Sequence, residues 1–186
     1  MACATSSDLV TTGNQSMEKL TALLESKAYW ATMLFGGAFL MAVALYYQHI
    51  VGEDPCQACV QVRVWIVAGM FVSLVMLLLP RKPISSLLGL LVFLGTGLGL
   101  AERSWFLYQI ENGRGDGSCG FMLGAPDWFP IDRWLPGIFE VRNLCSFTPD
   151  VLFGISMAEA LLIVSAIVLS LTMAALLANV RSLRAA

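Results

Sequence analysis

Charge is what this sequence has least of. Asp, Glu, Lys and Arg make up 13% of the 186 residues, against roughly 25% in an ordinary soluble domain. The deficit is concentrated. No formal charge falls in the 25 residues between Lys27 and Glu53, the 17 between Arg63 and Arg81, the 19 between Lys82 and Glu102, or the 21 between Glu159 and Arg181. A helix needs about 17–25 predominantly apolar residues to cross a bilayer. The apolar share of 58% completes the exclusion of a soluble globular domain and of a disordered chain. A net charge of −2 offers no attraction to a polyanion, so no nucleic-acid partner is expected. Alternating segments of about ten residues, the mark of an outer-membrane barrel, are missing, and so is any internal repeat. No cleavable leader is expected, because the first apolar run starts near residue 28, is too long for a signal core and precedes no A-x-A-like site.

What is present reads as an all-α integral membrane protein, a bundle of four transmembrane helices. The spans fall at about 28–49, 60–80, 83–109 and 151–178, flanked by tails 1–27 and 179–186. Connections lie near 50–59, at Pro80-Arg81-Lys82-Pro83 and across 110–150. Lys19, Lys27, Arg81, Lys82, Arg181 and Arg184 share the side of the termini, while the other side has only Arg114, Arg133 and Arg142 among many acids. The excess of Lys and Arg marks the cytoplasmic face. Both termini are therefore expected inside, with loops 50–59 and 110–150 outside.

That orientation sorts the cysteines. Cys56 and Cys59 fall in the first outward loop and Cys119 and Cys145 in the second, while Cys3 is a tail thiol on the cytoplasmic side. Disulfides persist outside the cytosol, so the two outward loops are expected to carry redox pairs. In Pro55-Cys56-Gln57-Ala58-Cys59 the ring is too small to gain much as a staple, but the two thiols are close enough for exchange. Zinc would want a second pair or nearby histidines, and His49, the single histidine, lies on the first span; no metal is expected. Cys59 falls where the second helix should begin, and a helix N-terminus and a nearby cation both favour a thiolate. Arg63, four residues on, shares its helix face. An arginine just inside the apolar zone is either functional or snorkels to the headgroups. Cys119 and Cys145 enclose a long loop in which a structural disulfide is a stronger alternative. Trp128, Phe129, Trp134 and Phe139 there suit a segment lying on the membrane surface. Four cysteines allow three pairings.

Tyr47-Gln48-His49, Pro55-Cys56-x-x-Cys59-x-x-x-Arg63, Cys119-x-Phe121-Met122, Pro126-x-Trp128-x-Pro130-x-Asp132-x-Trp134-x-Pro136 and Cys145 together resemble the DsbB family of bacterial inner-membrane disulfide-forming proteins. The resemblance spans about residues 28–158. It implies a four-helix bundle, with periplasmic cysteine loops, that reoxidises a periplasmic thioredoxin-fold dithiol oxidase (a DsbA-like partner). It implies a mixed disulfide at Cys119, onward transfer through Cys56 and Cys59, and a membrane quinone (ubiquinone or menaquinone) as acceptor. Cys59 and Arg63 would lie nearest the quinone, with His49 as a further residue on that side. The chain departs from many members at Val62, where they carry glutamate, at Glu102-Arg103-Ser104-Trp105, where they carry histidine, and at Ala158-Glu159-Ala160, where proline is followed by tryptophan. Glu102, Arg103 and Glu159 are expected either in ion pairs or as solvated helix ends.

The readings that compete are a paralogue serving one dedicated partner, a reductase of the vitamin K epoxide reductase type, and a non-catalytic four-helix scaffold with structural disulfides. The reductase family usually places its C-x-x-C late in the chain, whereas here it opens the second helix.

Overall fold

The computed structural model describes residues 27–80, 82–114, 120, 122–124, 130–143, 150–152 and 154–185. Cys3, Cys119 and Cys145 lie outside them, as do Trp128 and Phe129. Four long helices carry the fold: α1 (Lys27–Tyr46), α2 (Gln57–Leu78), α3 (Pro83–Glu111) and α6 (Met157–Ala185), separated between α3 and α6 by the one-turn helices α4 (Ile131–Trp134) and α5 (Pro136–Phe139). At 1.5 Å per residue, the 22 residues of α2 span about 33 Å, enough for a hydrocarbon core of about 30 Å. All four are long and apolar enough to cross a membrane. Their outer surface agrees, since Phe35, Phe39, Phe71, Leu78, Ile84 and Ile163 are all exposed. Such a surface would be an aggregation hazard in water and is the ordinary exterior of a helix in lipid.

The helices pack in chain order, α1 on α2, α2 on α3 and α3 on α6. Glycines let them approach closely, as is usual where lipid gives no hydrophobic drive to helix association. A Cβ at Gly99 would sit inside van der Waals contact of the Trp65 indole, whereas one at Gly95 would meet nothing within 4 Å. Gly99→Leu is therefore expected to destabilise the bundle by about 1–3 kcal/mol, the usual cost of overpacking, and Gly95→Leu to leave it near the parent. Thermal unfolding of the purified variants in detergent checks this pair. Hydroxyls inside the bundle are satisfied within their own helices: Ser73 Oγ donates to Gly69 O at 2.9 Å and Ser104 Oγ to Leu100 O at 2.8 Å. Tyr29, in the first turn of α1, and Thr172, midway along α6, join the two helices through their hydroxyls, 3.0 Å apart.

The last span and Phe139 differ from the sequence reading. The last span starts at Met157 rather than near 151. Asp150–Leu152 (β1) and Ile155–Ser156 (β2) pair as an antiparallel hairpin, turning at Gly154 with φ 79°, a left-handed conformation that glycine adopts without a Cβ penalty. A capping box then opens α6: Glu159 N donates to Ser156 Oγ at 3.2 Å, and Ser156 N donates to Glu159 Oε2 at 3.3 Å. Glu159 thus ends as a helix cap, while Glu102 pairs with Arg103 at 3.2 Å on the surface. The second difference is Phe139, expected at the membrane surface and in fact buried with Val60 and Leu123. Trp134 is exposed.

Candidate functional site

The site forms where α2 begins. Pro55 leads into Cys56, which is the N-cap of α2: its backbone is extended and its Sγ accepts from Cys59 N at 3.3 Å. The C-x-x-C spacing sets this up, because a cap residue's side chain reaches the N–H three positions on. Cys56 and Cys59 are disulfide-bonded, with Cα atoms 5.1 Å apart. The helix was expected to begin at Cys59. Its earlier start places the unpaired N–H groups of the first turn around Cys56 as well, where they would stabilise an anionic sulfur released by reduction.

The two sulfurs have different surroundings. Cys56 is 2% exposed, packed with Ala58, Leu107 and Ala158. The chain around residue 143 lies along it: Asn143 forms a parallel bridge with Cys56, and the N–H groups of Arg142 and Asn143 donate to Pro55 O at 3.0 and 3.3 Å. Cys59 instead lines an apolar groove of about 260 Å³ between α1 and α6, with Leu40, Val43, Arg63, Leu161 and Val164. A second cavity of about 360 Å³ shares Phe39, Leu40, Ile66 and Val164 with it and continues the groove towards the middle of the bundle.

Arg63 is 6% exposed, so it does not snorkel to the headgroups. Its Nη1 donates to Gln48 Oε1 and to Ile138 O at 2.8 Å, and its Nη2 donates to Ala44 O at 3.4 Å. Among the described residues, Nε–H and one Nη2–H of its five donors have no acceptor, and no carboxylate stands within ion-pair distance. A cation with spare donors, sharing the wall of an apolar groove with a disulfide sulfur, fits a flat apolar ligand with a carbonyl acceptor.

Gln48 was noted in the sequence only as part of a motif. It sits on a π-helical turn, Tyr47–Val51, that extends α1 and stops at Gly52 with φ 85°. Gln48 is buried there, and its Nε2 donates to Gly137 O at 3.1 Å. His49 reaches the same carbonyl, with its Nε2 3.1 Å from Gly137 O, but it is exposed and is not among the residues lining the groove. The sequence signal for Gln48 was a polar side chain within an apolar span. The four cysteine positions are thus half described: Cys56 and Cys59 are joined, and Cys119 and Cys145 lie outside the described residues next to Gly120 and beyond Asn143.

Fold and site define a four-helix membrane protein with a disulfide pair at one end of the bundle, set between the chain around residue 143 and an apolar groove. The chain belongs to the DsbB family: the family model for disulfide bond formation protein DsbB matches residues 26–175. It is 33% identical over 144 residues to disulfide bond formation protein B 2 of Pseudomonas aeruginosa, covering 76% of this chain and 85% of that protein. It is 32% identical over 148 residues to disulfide bond formation protein B of Shewanella denitrificans, covering 79% and 85%. With the Histophilus somni protein of the same name the identity is 31% over 143 residues, 75% of this chain and 80% of the relative.

Proposed function

We propose that this chain is a thiol:quinone oxidoreductase of the bacterial inner membrane, with its termini in the cytoplasm and its cysteine loops in the periplasm. It reoxidises a DsbA-like thioredoxin-fold dithiol oxidase and passes the electrons through Cys119/Cys145 and then Cys56/Cys59 to ubiquinone or menaquinone. The observation that carries the reading is the two-sidedness of the Cys56–Cys59 pair. Cys56 meets the backbone that leads to Cys145, and Cys59 meets the groove and Arg63. A structural staple has no use for a buried arginine that shares a groove with one of its sulfurs and has no carboxylate in ion-pair distance among the described residues.

Each exchange conserves two electrons and two protons. The partner's two thiols reduce the Cys119–Cys145 disulfide and leave as a disulfide. The two loop thiols then reduce the Cys56–Cys59 disulfide, with Cys56 as the sulfur attacked from the loop side. Cys59, facing the groove, is the sulfur left as thiolate, and Arg63 stabilises it. The quinone supplies a two-electron, two-proton acceptor. When the disulfide reforms, Cys56 and Cys59 give up both electrons and both protons towards the groove. Its apolar walls exclude water, which strengthens the attraction between Arg63 and the thiolate.

The test is quinone reduction by the purified protein with a reduced DsbA-like partner, ubiquinone and menaquinone being supplied in parallel. Turnover with at least one of them is expected; two inert disulfides would leave a scaffold. The direction of entry has its own prediction. With Cys145→Ser, a mixed disulfide between the partner and Cys119 is expected to accumulate on non-reducing gels, and peptide mass spectrometry should locate it. Attachment of the partner to Cys56 or Cys59 alone would reverse the order of the relay.

A further inference from the structure

The two glutamines of the first turns of α2 are not used by the chemistry above, yet both side chains reach across about 60 residues of sequence to the same short segment. Gln57, the first residue between the two cysteines, donates from Nε2 to Met122 O at 2.6 Å, and its Oε1 accepts from Gly120 N at 2.9 Å. Gln61, one helical turn on and on the same face, donates from Nε2 to Leu123 O at 3.0 Å. One side-chain amide thus bonds the N–H of one residue and the C=O of the residue two further along, which a primary amide can do because one of its N–H bonds lies on the same side as its C=O. The segment has an apolar anchor too: Leu123 is buried with Val60 and Phe139, and Val60 lies between the two glutamines on α2. Every polar contact is to backbone, so the clamp fixes the position of the chain without selecting its side chains. Gly120 is the residue covalently next to Cys119.

We propose that Gln57 and Gln61 are positioning residues for the exchange between the two cysteine pairs: they hold Gly120, Met122 and Leu123 against the start of α2, the turn that carries the Cys56–Cys59 disulfide, and so tether the residue that follows Cys119 in the sequence. The proposal rests on the relay described above. It separates two legs of that relay, since the clamp acts on electrons entering Cys56–Cys59 from the loop and not on electrons leaving towards the groove. Gln57 supplies two of the three bonds, so its loss should weigh more than that of Gln61. Loss of two neutral hydrogen bonds predicts a change of about tenfold.

The experiment uses the full chain in detergent with Gln57→Met and Gln61→Met, which keep the length of the side chain and remove its polar atoms. Amide hydrogen exchange at Gly120 reads the clamp itself; Gln57→Met should speed it by about tenfold. Quinone reduction driven by the reduced partner should fall by about tenfold in Gln57→Met and less in Gln61→Met, with the KM for quinone unchanged. The exit leg is read in a Cys119→Ser/Cys145→Ser background, where dithiothreitol can reduce only Cys56–Cys59. There Gln57→Met should leave the rate of quinone reduction at that of the background. Unaltered Gly120 exchange, unaltered partner-driven turnover, or an equal fall in both legs would each overturn the positioning role. A parent that does not reduce quinone with its partner would instead remove the relay, and the role with it; an active parent with an equally active Gln57→Met removes the clamp's role alone.

Discussion

Alanine at Cys56, Cys59, Cys119 or Cys145 is expected to reduce partner-driven quinone reduction to background, and Cys3→Ala to leave it at the parent rate. The size of the effect follows from how electrons travel. Thiol–disulfide exchange moves them only by attack of a thiolate on a disulfide sulfur through a mixed disulfide, so a chain of two disulfides is interrupted by the loss of any of four sulfurs. No neighbouring residue can substitute for one. The variants should nonetheless differ in where they stop. Loss of Cys119 or Cys145 leaves the Cys56–Cys59 disulfide in place, capping α2 through Cys56, and a small dithiol should still drive quinone reduction through it. Loss of Cys59 removes the sulfur that lines the groove, and dithiothreitol should not restore turnover. The measurement is the absorbance change of the quinone with the partner and with dithiothreitol, variant by variant. A fully active Cys119→Ala protein would sink the relay; a Cys59→Ala protein active with dithiothreitol would move the exit sulfur away from the groove.

The spans were legible because each is a long stretch without charge, and the cost of placing charge in hydrocarbon does not depend on tertiary detail. The reach of that signal also explains its error at the last span. Hydropathy runs on through Val151 and Leu152, but the helix waits for a residue that can cap it, and Ser156 with Glu159 supplies both halves of the box. The cue was in the sequence as Ser156-x-x-Glu159 and was masked by the apolar run before it. At the site, Cys59 and Arg63 were legible as helix neighbours four apart. Gln48 was not, because it meets Arg63 from a π-helical turn, where the period of 3.6 residues used to assign faces no longer applies. Phe139 and the contacts of Gln57 were beyond reach for another reason. They depend on where a segment 60 or more residues away comes to rest, and nothing local encodes that.

The second large effect is expected at Arg63. Arg63→Ala should raise the apparent KM for quinone by about one to two orders of magnitude, from the roughly 1.5–3 kcal/mol of a hydrogen bond to a charged donor at 1.4 kcal/mol per tenfold. The structure adds a complication. Arg63 also ties α1 to α5 through Gln48, Ala44 O and Ile138 O, so its removal leaves three acceptors without that donor as well as taking the guanidinium out of the groove wall. Loosening that end of the bundle would itself weaken quinone binding. Gln48→Leu separates the two causes. It breaks the link to Gly137 and to Arg63 while leaving the guanidinium, its charge and its spare donors in place. If Arg63 acts on the ligand, Gln48→Leu should keep a KM close to the parent's while Arg63→Ala raises it. Arg63→Lys should fall between, because an ammonium keeps the charge beside Cys59 but cannot hold Ile138 O and offer a planar fork to the groove at once. Its kcat should recover more than its KM, since the thiolate needs only the charge. Quinone-titrated turnover of the three variants beside the parent decides the matter. Equal rises in KM for Gln48→Leu and Arg63→Ala would make Arg63 a brace between helices, and an unchanged KM in Arg63→Ala would place the quinone somewhere other than this groove.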